Sequence, residues 1–447
     1  MMLMHIKDMP RKSATLATFA FALLLGGCDL DDFLAAKDPF TVTPETAGDT
    51  ANLETLYAGS RSQFALAYGG LQNREGGVVV MTGLMSDELY SSDNFNTRRA
   101  VDSRNIDYDI SNSAGDHAFI YLQRARAEAL NAIDLFEESP RAGSGRHAEL
   151  YAIAGYSVLM LVENFCTGIP LSRITQTGTV FGDPLSREEL YNLALSYFDQ
   201  ALAQTNAGAD ELNLARIGKG RTLLGLGRFA EAAQAVAAVP SDFRFDVEYA
   251  GGSFETPNPV FNFVNEEHRV SASIQEGTAN RGLPFGVQPR DPRIAIADQS
   301  VASNSGDVAT WEQLKYTSQD AEIPLATGLE ARLIEAEAQL NRGQSASYLA
   351  TLNALRAATG LSALADPGNA AGRVDQFFAE RAHWLWLTGQ RLSDMRRLIR
   401  QYGRTEGTVF PTGVTPYGIP YGTAVSLPIP FEEINNPNYS TCSDRGA

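Results

Sequence analysis

The chain is poor in the residues that usually build a catalytic or metal centre. It has 3 cysteines and 5 histidines among 447 residues. Past the N-terminal segment the histidines are His117, His147, His268 and His383, and their spacing matches no metal-binding motif. The nucleophile motif G-x-S-x-G is absent as well. The sequence therefore predicts no catalytic residue, no metal site and no cofactor, and we expect a protein that is not an enzyme.

Positive charge and long apolar runs are also scarce. The chain carries 36 Lys and Arg against 53 Asp and Glu, a formal net charge of −17. Because nucleic acid is itself anionic, such a balance disfavours it, and we expect no nucleic-acid partner. No segment approaches the roughly 20 apolar residues that a membrane-spanning helix needs. With 44% hydrophobic residues, the chain can nevertheless bury a large core.

Residues 1–27 have the pattern of a signal peptide. Three basic residues precede a run of apolar or small residues from 14 to 25, which is too short to cross a bilayer as a helix. The run closes with Leu25-Gly26-Gly27-Cys28, which resembles the lipobox of bacterial lipoproteins. We therefore predict lipidation of Cys28, and more than one acyl chain there would give stable membrane anchoring. A soluble secreted protein with an incidental Cys28 is the alternative.

Residues 28–48 are acidic at first, contain prolines and show no lasting periodicity, so we predict a lipidated tether. Residues 49–447 are then expected to form a single domain. Cys166 and Cys442 are the cysteines that remain there, and an extracytoplasmic location favours a disulfide between them. Two free thiols are the alternative.

Helical periodicity dominates this domain, with apolar residues at three- and four-residue steps. The predicted helices fall mostly in consecutive pairs: 49–68, 116–138 with 147–165, 186–204, 215–227 with 229–239, 328–342 with 345–359, and 373–402. Ser186 and Glu189 are predicted to form a capping box at the start of the helix 186–204. The segment GKGRTLLGLGRFAEAAQAV resembles a tetratricopeptide turn. We predict a mainly α fold, a superhelix of tetratricopeptide-like helical pairs in which stacked neighbours bury each other's apolar faces.

Three irregular insertions interrupt the helices, at about residues 69–115, 242–323 and 403–423. In the first, Val78–Met81 is predicted as a strand-like piece and Ser91–Arg99 as an exposed loop. The other two are rich in Gly and Pro with interspersed aromatic residues, which include Tyr417 and Tyr421. Long loops in compact domains are usually functional, so we predict a helical scaffold that carries a binding surface made of loops.

The C-terminal part has two predicted components. Arg373–Tyr402 is predicted as one amphipathic helix, which would place Glu380, Arg391 and Asp394 on one face as a charged network. Val425–Pro430 follows, and its prolines require an extended segment packed against something already folded.

This order of motifs resembles the C-terminus of the SusD/RagB family of outer-membrane nutrient-binding lipoproteins. The matching residues are Glu380-Arg381, Gly389, Arg391, Asp394, Arg397, Pro428-Ile429-Pro430, Glu433, Asn436 and Pro437. Thr388 departs from the family pattern, which usually has Glu there, and so does the end, Tyr439–Cys442. The segment Gly83–Tyr90, with its Asp-Glu pair, resembles an early family segment.

The resemblance implies a SusD-like fold and a surface-exposed lipoprotein of the outer membrane. Such a protein would bind an oligosaccharide or similar nutrient and act as the lid of its partner, a SusC-like TonB-dependent barrel. A helical-repeat scaffold for envelope assembly, a hydrolase, and an importer subunit that binds peptide are the alternatives.

Carbohydrate binding requires an aromatic face that stacks on a sugar ring and polar groups that hydrogen-bond its hydroxyls. Family members place such groups in the loop after the early segment and in loops before a later helical pair. By position, the predicted ligand-binding residues are Asn94, Phe95, Arg98, Trp311 and Tyr316. Trp311 is the strongest candidate, because it is a large ring in a segment rich in Gly and Ser.

Overall fold

Helices make up most of the structure, a computed structural model that describes residues 50–71, 76–106, 116–175, 178–252, 257–274 and 282–447. The described residues belong to one compact unit, Ala47–Ala447. The predicted signal peptide, the tether and Cys28 lie outside the described residues. No helix in the described ranges is both long and apolar enough to cross a membrane.

The helices are numbered here along the chain. They are α1 (Thr50–Gly69), α2 (Val78–Met85), α3 (Asn96–Asp102), α4 (Asp116–Glu137), α5 (Gly145–Asn164), α6 (Arg187–Leu202), α7 (Ala209–Gly225), α8 (Phe229–Val236), α9 (Pro259–Phe261), α10 (Gly328–Asn341), α11 (Ser345–Ala358), α12 (Ala370–Trp384), α13 (Arg391–Tyr402) and α14 (Glu406–Val409). A π-helical turn at Asn262–Glu266 continues α9, and a 3₁₀ helix lies at Phe431–Asn435. The predicted helical pairs are confirmed, and so is the capping box of Ser186 and Glu189 at the start of α6.

The strands are short and pair two by two. They are β1 (Leu89–Ser91), β2 (Ile169–Pro170), β3 (Arg173–Thr175), β4 (Gly178–Val180), β5 (Pro184–Leu185), β6 (Arg244–Val247), β7 (Val270–Ala272), β8 (Val301–Ala302), β9 (Ala309–Thr310) and β10 (Ile323–Thr327). Within the described part of the chain, the pairs are β1 with β7, β2 with β5, β3 with β4, β6 with β10 and β8 with β9, all antiparallel. Such small sheets fasten loops and do not form a layer of their own.

The helices stack in sequence order around α5. Helix α4 packs on α1 and α5, α6 packs on α5 and α7, and α8 joins α7 to α10. Every residue of α5 from His147 to Asn164 is buried, as expected for a helix with neighbours on all sides. Helices α6 and α7 approach closely, because a Cβ built on Gly218 would lie 2.2 Å from the ring of Phe198. Small residues therefore set the spacing of the stack.

Helix α2 corrects the prediction of a strand-like piece at Val78–Met81. All eight residues of α2 are buried. A helix that is apolar on every side has no amphipathic period, so its sequence cannot be told from that of a buried strand. The predicted exposed loop at Ser91–Arg99 is also corrected, since Ser91, Ser92 and Asp93 are buried and α3 begins at Asn96.

The predicted long helix Arg373–Tyr402 is two helices, α12 and α13. Between them, Leu387 has φ of 55° and Gly389 has φ of 73°, both in the left-handed region that ends a right-handed helix. Glu380 and Arg391 therefore do not share a helical face. The Glu380 carboxylate instead accepts hydrogen bonds from Arg293 and Arg356, at 2.7 and 2.6 Å.

Arg391 makes a buried ion pair with Asp87 of the early Asp-Glu pair. Its Nε and Nη2 donate to the two carboxylate oxygens of Asp87, each at 2.7 Å, across 304 residues of sequence. The Oε1 atom of the adjacent Glu88 accepts the backbone N–H of Leu387 at 2.9 Å. Asp394 is separate from this pair and accepts from Arg381 at 2.7 Å. The early segment is thus held to the break between α12 and α13 by an ion pair and a hydrogen bond.

The tail beyond α14 packs against the end of α5, which confirms the prediction of an extended, packed segment. The N–H of Leu427 donates to the carbonyl of Asn164 at 2.8 Å, and the N–H of Cys166 donates to the carbonyl of Leu427 at 2.8 Å. Arg396 donates to the carbonyl of Glu163 at 2.6 Å, so a buried cation satisfies the C-terminal end of α5. Cys166 and Cys442 form a disulfide, with their Cα atoms 5.8 Å apart.

Asp87→Asn should lower the free energy of unfolding by about 3–5 kcal/mol, because it leaves the buried Arg391 guanidinium without its counter-charge. Urea unfolding followed by circular dichroism measures this change. The matched control is Asp366→Asn, which removes one partner of the solvent-exposed pair with Arg373 and should produce no measurable change. Equal midpoints for both variants would contradict a stabilising role for the buried pair.

Glu88→Gln should flatten the pH dependence of stability. Burial raises the pKa of Glu88 from 4.5 to about 8, although the N–H of Leu387 acts in the opposite direction. Since the folded state holds this proton longer than the unfolded state, the free energy of unfolding should fall as pH rises from about 4.5 to about 8. Unfolding in urea at several pH values in that window measures the slope.

The glutamine variant should show a smaller fall, and the exposed Glu432→Gln variant should keep the wild-type slope. The same slope in Glu88→Gln as in wild type would show that Glu88 does not hold a proton in the folded protein.

Candidate functional site

The loop after the early Asp-Glu pair and the second insertion meet at the β1–β7 ladder. Tyr90 of β1 lies opposite Ser271 of β7, and the Tyr90 hydroxyl donates to the carbonyl of Ala309 at 2.6 Å. The N–H of Trp311 donates to Oγ of Ser271 at 2.9 Å, and the carbonyl of Trp311 accepts from the N–H of Ala272 at 2.9 Å. The backbone of Trp311 is therefore fixed to β7, which in turn pairs with β1 of the early segment.

Trp311 lines a cavity of about 300 Å³. Its other aromatic lining residues are Tyr90 and Tyr421, and Val414 and Pro416 add apolar surface. Every described residue that lines this cavity comes from one of the three predicted insertions. The cavity therefore combines ring faces and apolar surface contributed by loops, on a scaffold contributed by helices.

Asp307 is the charged residue among the described ones that line the cavity. Arg99 of α3 donates to its carboxylate at 2.6 Å, and Ser305 hydrogen-bonds it as well. These bonds, first from Ser305 and then from Arg99, lower the pKa of Asp307, which keeps the carboxylate ionised. The Arg99 guanidinium also lies 4.7 Å from the centre of the Tyr417 ring, so α3 connects the second insertion to the third.

Buried polar groups hold α3 and the third insertion in place. An Asp102 carboxylate oxygen accepts the N–H of Ser91 at 2.7 Å, and its pKa is raised to about 7 by burial. The Tyr417 hydroxyl donates to the carbonyl of Arg99 at 3.1 Å. Arg104, at the end of α3, donates to the carbonyl of Pro411 at 3.0 Å. Buried and part-buried hydrogen bonds thus join α3 to β1 and to the third insertion, whose residues line the cavity.

Of the five predicted ligand-binding residues, three have side chains that are at least partly exposed and two are buried. Trp311 is half-buried in the cavity wall, whereas Asn94 and Phe95 are exposed in the loop before α3 and do not line the cavity. The side chain of Phe95 is 50% exposed, and its ring lies 4.7 Å from the Arg98 guanidinium. Ligand contact by these three residues remains a prediction.

The structure turns the side chains of Arg98 and Tyr316 inward, which differs from their predicted place on a ligand-binding surface. Arg98 is 2% exposed and donates from Nε to Asp93 at 2.9 Å. Tyr316 is 3% exposed, and its hydroxyl donates to the carbonyl of Leu387 at 2.9 Å. These side chains hold the loops in place, and neither lines the cavity. The composition of a loop does not reveal which of its polar residues point into the core.

The predicted ligand-binding residues do not include the other aromatic and charged residues of the described cavity wall, which are Tyr90, Asp307 and Tyr421. The sequence does point to Tyr421, which is one of the interspersed aromatic residues of the third insertion. Tyr90 belongs to the segment with the Asp-Glu pair, which is not predicted to bind ligand. Nothing in the sequence distinguishes Asp307 from other acidic residues. Among the described residues, no group of three or more His, Cys, Asp or Glu is arranged to hold a metal ion.

Comparison of this architecture with solved structures identifies the fold. A SusD superfamily protein from Parabacteroides distasonis matches 90% of this chain and 100% of its own, with a TM-score of 0.66 and 14% identity. The chain has a SusD-like fold. A SusD-like protein from Bacteroides fragilis matches 90% of this chain and 98% of its own, with a TM-score of 0.64 and 12% identity.

A third solved structure with the SusD-like fold is that of surface glycan-binding protein A from Bacteroides uniformis. It matches 88% of this chain and 99% of its own, with a TM-score of 0.59 and 11% identity. No protein-family profile and no curated protein matches the sequence. The fold predicted from the C-terminal motifs is therefore confirmed by three-dimensional similarity, at identities where the sequences have diverged widely.

Proposed function

We propose that this protein is a glycan-binding member of the SusD/RagB family that captures nutrients at the cell surface. It is anchored to the outer membrane through acyl chains on Cys28. It covers a SusC-like TonB-dependent barrel as a lid and delivers an oligosaccharide or similar nutrient to it. It binds this cargo and does not break bonds in it.

The observation that carries the proposal is the cavity where the three insertions meet. Its volume of about 300 Å³ lies at the lower end of the range for small-molecule pockets, which suits one unit of a longer chain. Trp311 and Tyr421, which are half-buried in its wall, offer ring surface for the apolar side of a sugar, and Asp307 offers acceptors for its hydroxyls. Oligosaccharide recognition needs this combination and needs no reactive group.

The scaffold supports the role of a lid. The stacked helices pack through one continuous core that runs from α1 to α13. Buried ion pairs such as Asp87 with Arg391 hold the loops onto this core. A body of this kind moves as a unit, so access to a pore beneath it is controlled by hinge motion of the whole lid. Cargo would be held between the loops and the barrel while the lid is closed.

The proposed partner and location also draw on the N-terminal sequence. The lipobox-like Leu25-Gly26-Gly27-Cys28 supports a lipid anchor, and the acidic residues that follow Cys28 resemble a surface-export signal of lipoproteins. A solved structure with this fold belongs to a protein described as a surface glycan-binding protein, which agrees with a surface location for this chain.

Trp311→Ala should weaken binding of a glycan by at least about tenfold, equivalent to about 1.4 kcal/mol, because the ring that stacks on the sugar is lost. A screen of purified mature protein against neutral and anionic polysaccharides and peptides supplies the ligand, and calorimetry supplies the affinity. Leu314→Ala is the matched control, since Leu314 is 49% exposed in the same insertion and outside the cavity wall.

Equal affinity of the two variants would place the ligand elsewhere on the protein. Binding of peptides alone would favour the importer subunit that takes peptide. Co-purification with envelope-assembly factors and no ligand at all would favour the scaffold, and cleavage of a polysaccharide would show a hydrolase.

Cys28→Ala should abolish incorporation of a palmitate analogue and release the protein from the membrane fraction, because the acylated residue is removed. Metabolic labelling followed by fractionation measures both effects, and protease treatment of intact cells reports surface exposure. Gly26→Ala is the matched control, because it keeps a small residue before the cysteine and should leave labelling unchanged. Wild-type protein that is unlabelled and soluble in the periplasm would contradict the proposed anchor.

A further inference from the structure

The described residues of the cavity wall carry charge of one sign. Of the described residues that line it, Asp307 is the charged one, and its neighbours in the wall are aromatic, apolar or hydroxyl-bearing. The Asp307 side chain is 45% exposed, so its carboxylate is accessible to a molecule in the cavity. On the described part of the wall, a ligand therefore meets aromatic surface and one carboxylate.

The guanidinium of Arg99, which balances the charge of Asp307, also contacts groups outside the cavity. Arg99 donates to Asp307 at 2.6 Å, but it is not part of the cavity wall. Its Nε donates to the carbonyl of Asp93 at 2.6 Å, and its guanidinium lies over the ring of Tyr417 at 4.7 Å. Arg99 thus holds the carboxylate in place, and of these two residues it is Asp307 that lines the cavity.

Asp307 stays ionised at neutral and mildly acidic pH. The hydrogen bonds from Ser305 and Arg99 lower its pKa. A fixed carboxylate accepts hydrogen bonds from two adjacent hydroxyls of a sugar, each of which is a donor. The Asp307 carboxylate has no hydrogen-bond donor for a uronate carboxylate or a sulfate, and it repels their negative charge. The net charge of −17 for the whole chain adds a long-range repulsion of the same sign.

We propose that the cavity selects neutral oligosaccharides over glycans that carry carboxylates or sulfates, and that Asp307 is the residue that determines this specificity. This inference rests on the proposed function and names the class of glycan that the same site takes.

The test uses mature wild-type protein with four neutral hexose polymers and their C6-oxidised counterparts. Maltoheptaose, laminarin, mannan and galactan are each compared with the form in which primary hydroxyls have become carboxylates, so the backbone is the same. Calorimetry at low and high salt gives the ratio of the two affinities. We expect at least one neutral polymer to bind at least about tenfold more tightly than its oxidised form, with a smaller ratio at high salt.

Two variants move this ratio in opposite directions if the inference holds. Asp307→Asn should bring it towards one, because the amide no longer repels a carboxylate. Arg99→Gln should increase it, because the negative charge loses its compensation. Thermal unfolding of both variants shows that they are folded, and the opposite signs separate a charge effect from a loss of structure.

Three outcomes would overturn the inference. One is a ratio that neither variant changes, and another is tighter binding of the oxidised forms. The third is a lack of binding to all four neutral polymers. If anionic glycans then bind in a manner that depends on Trp311, the proposed function stands without this specificity. If no glycan of either kind binds, the proposed function fails as well.

Discussion

The buried ion pair between Asp87 and Arg391 is the constraint on which the rest of the structure depends. Two charges withdrawn from water cost several kcal/mol each unless they are paired with good geometry, and here both carboxylate oxygens receive a guanidinium nitrogen at 2.7 Å. The pair closes the chain over 304 residues. Around it, Glu88, Lys315 and Tyr316 all bond to backbone groups of the break between α12 and α13. This break is where the early segment, the second insertion and the C-terminal helices meet.

The position of the cavity follows from this junction. Lys315 and Tyr316 are held at the break, and Trp311 lies a few residues before them, where it is also fixed by the β1–β7 ladder. The segment that presents the tryptophan is therefore attached at both ends to rigid parts of the molecule. Preorganisation of this kind lowers the entropy lost on binding, because the ring does not need to be ordered by the ligand. A loop-built site on this fold can thus be as rigid as one built on helices.

The sequence predicts what depends on local pattern and misses what depends on packing. The helical pairs, the Ser186 capping box and the packed tail follow from periodicity, capping chemistry and proline geometry, and the structure has them all. Helix α2 is missed because a fully buried helix lacks a polar face. The break at Leu387 is missed because a leucine with positive φ has no sequence signature and is held there by distant groups. The same reason explains why the sequence does not reveal that Arg98 and Tyr316 are buried, since only the folded chain shows which side chains point inward.

The attachment of the tail to α5 has a consequence for how the polypeptide is made. The disulfide joins residues that are 276 positions apart, so the end of α5 is completed only after the tail has been synthesised. A product truncated before Cys442 would keep Cys166 as a free thiol. A thiol-alkylating mass tag on a non-reducing gel would therefore distinguish chains that have the tail from chains that lack it.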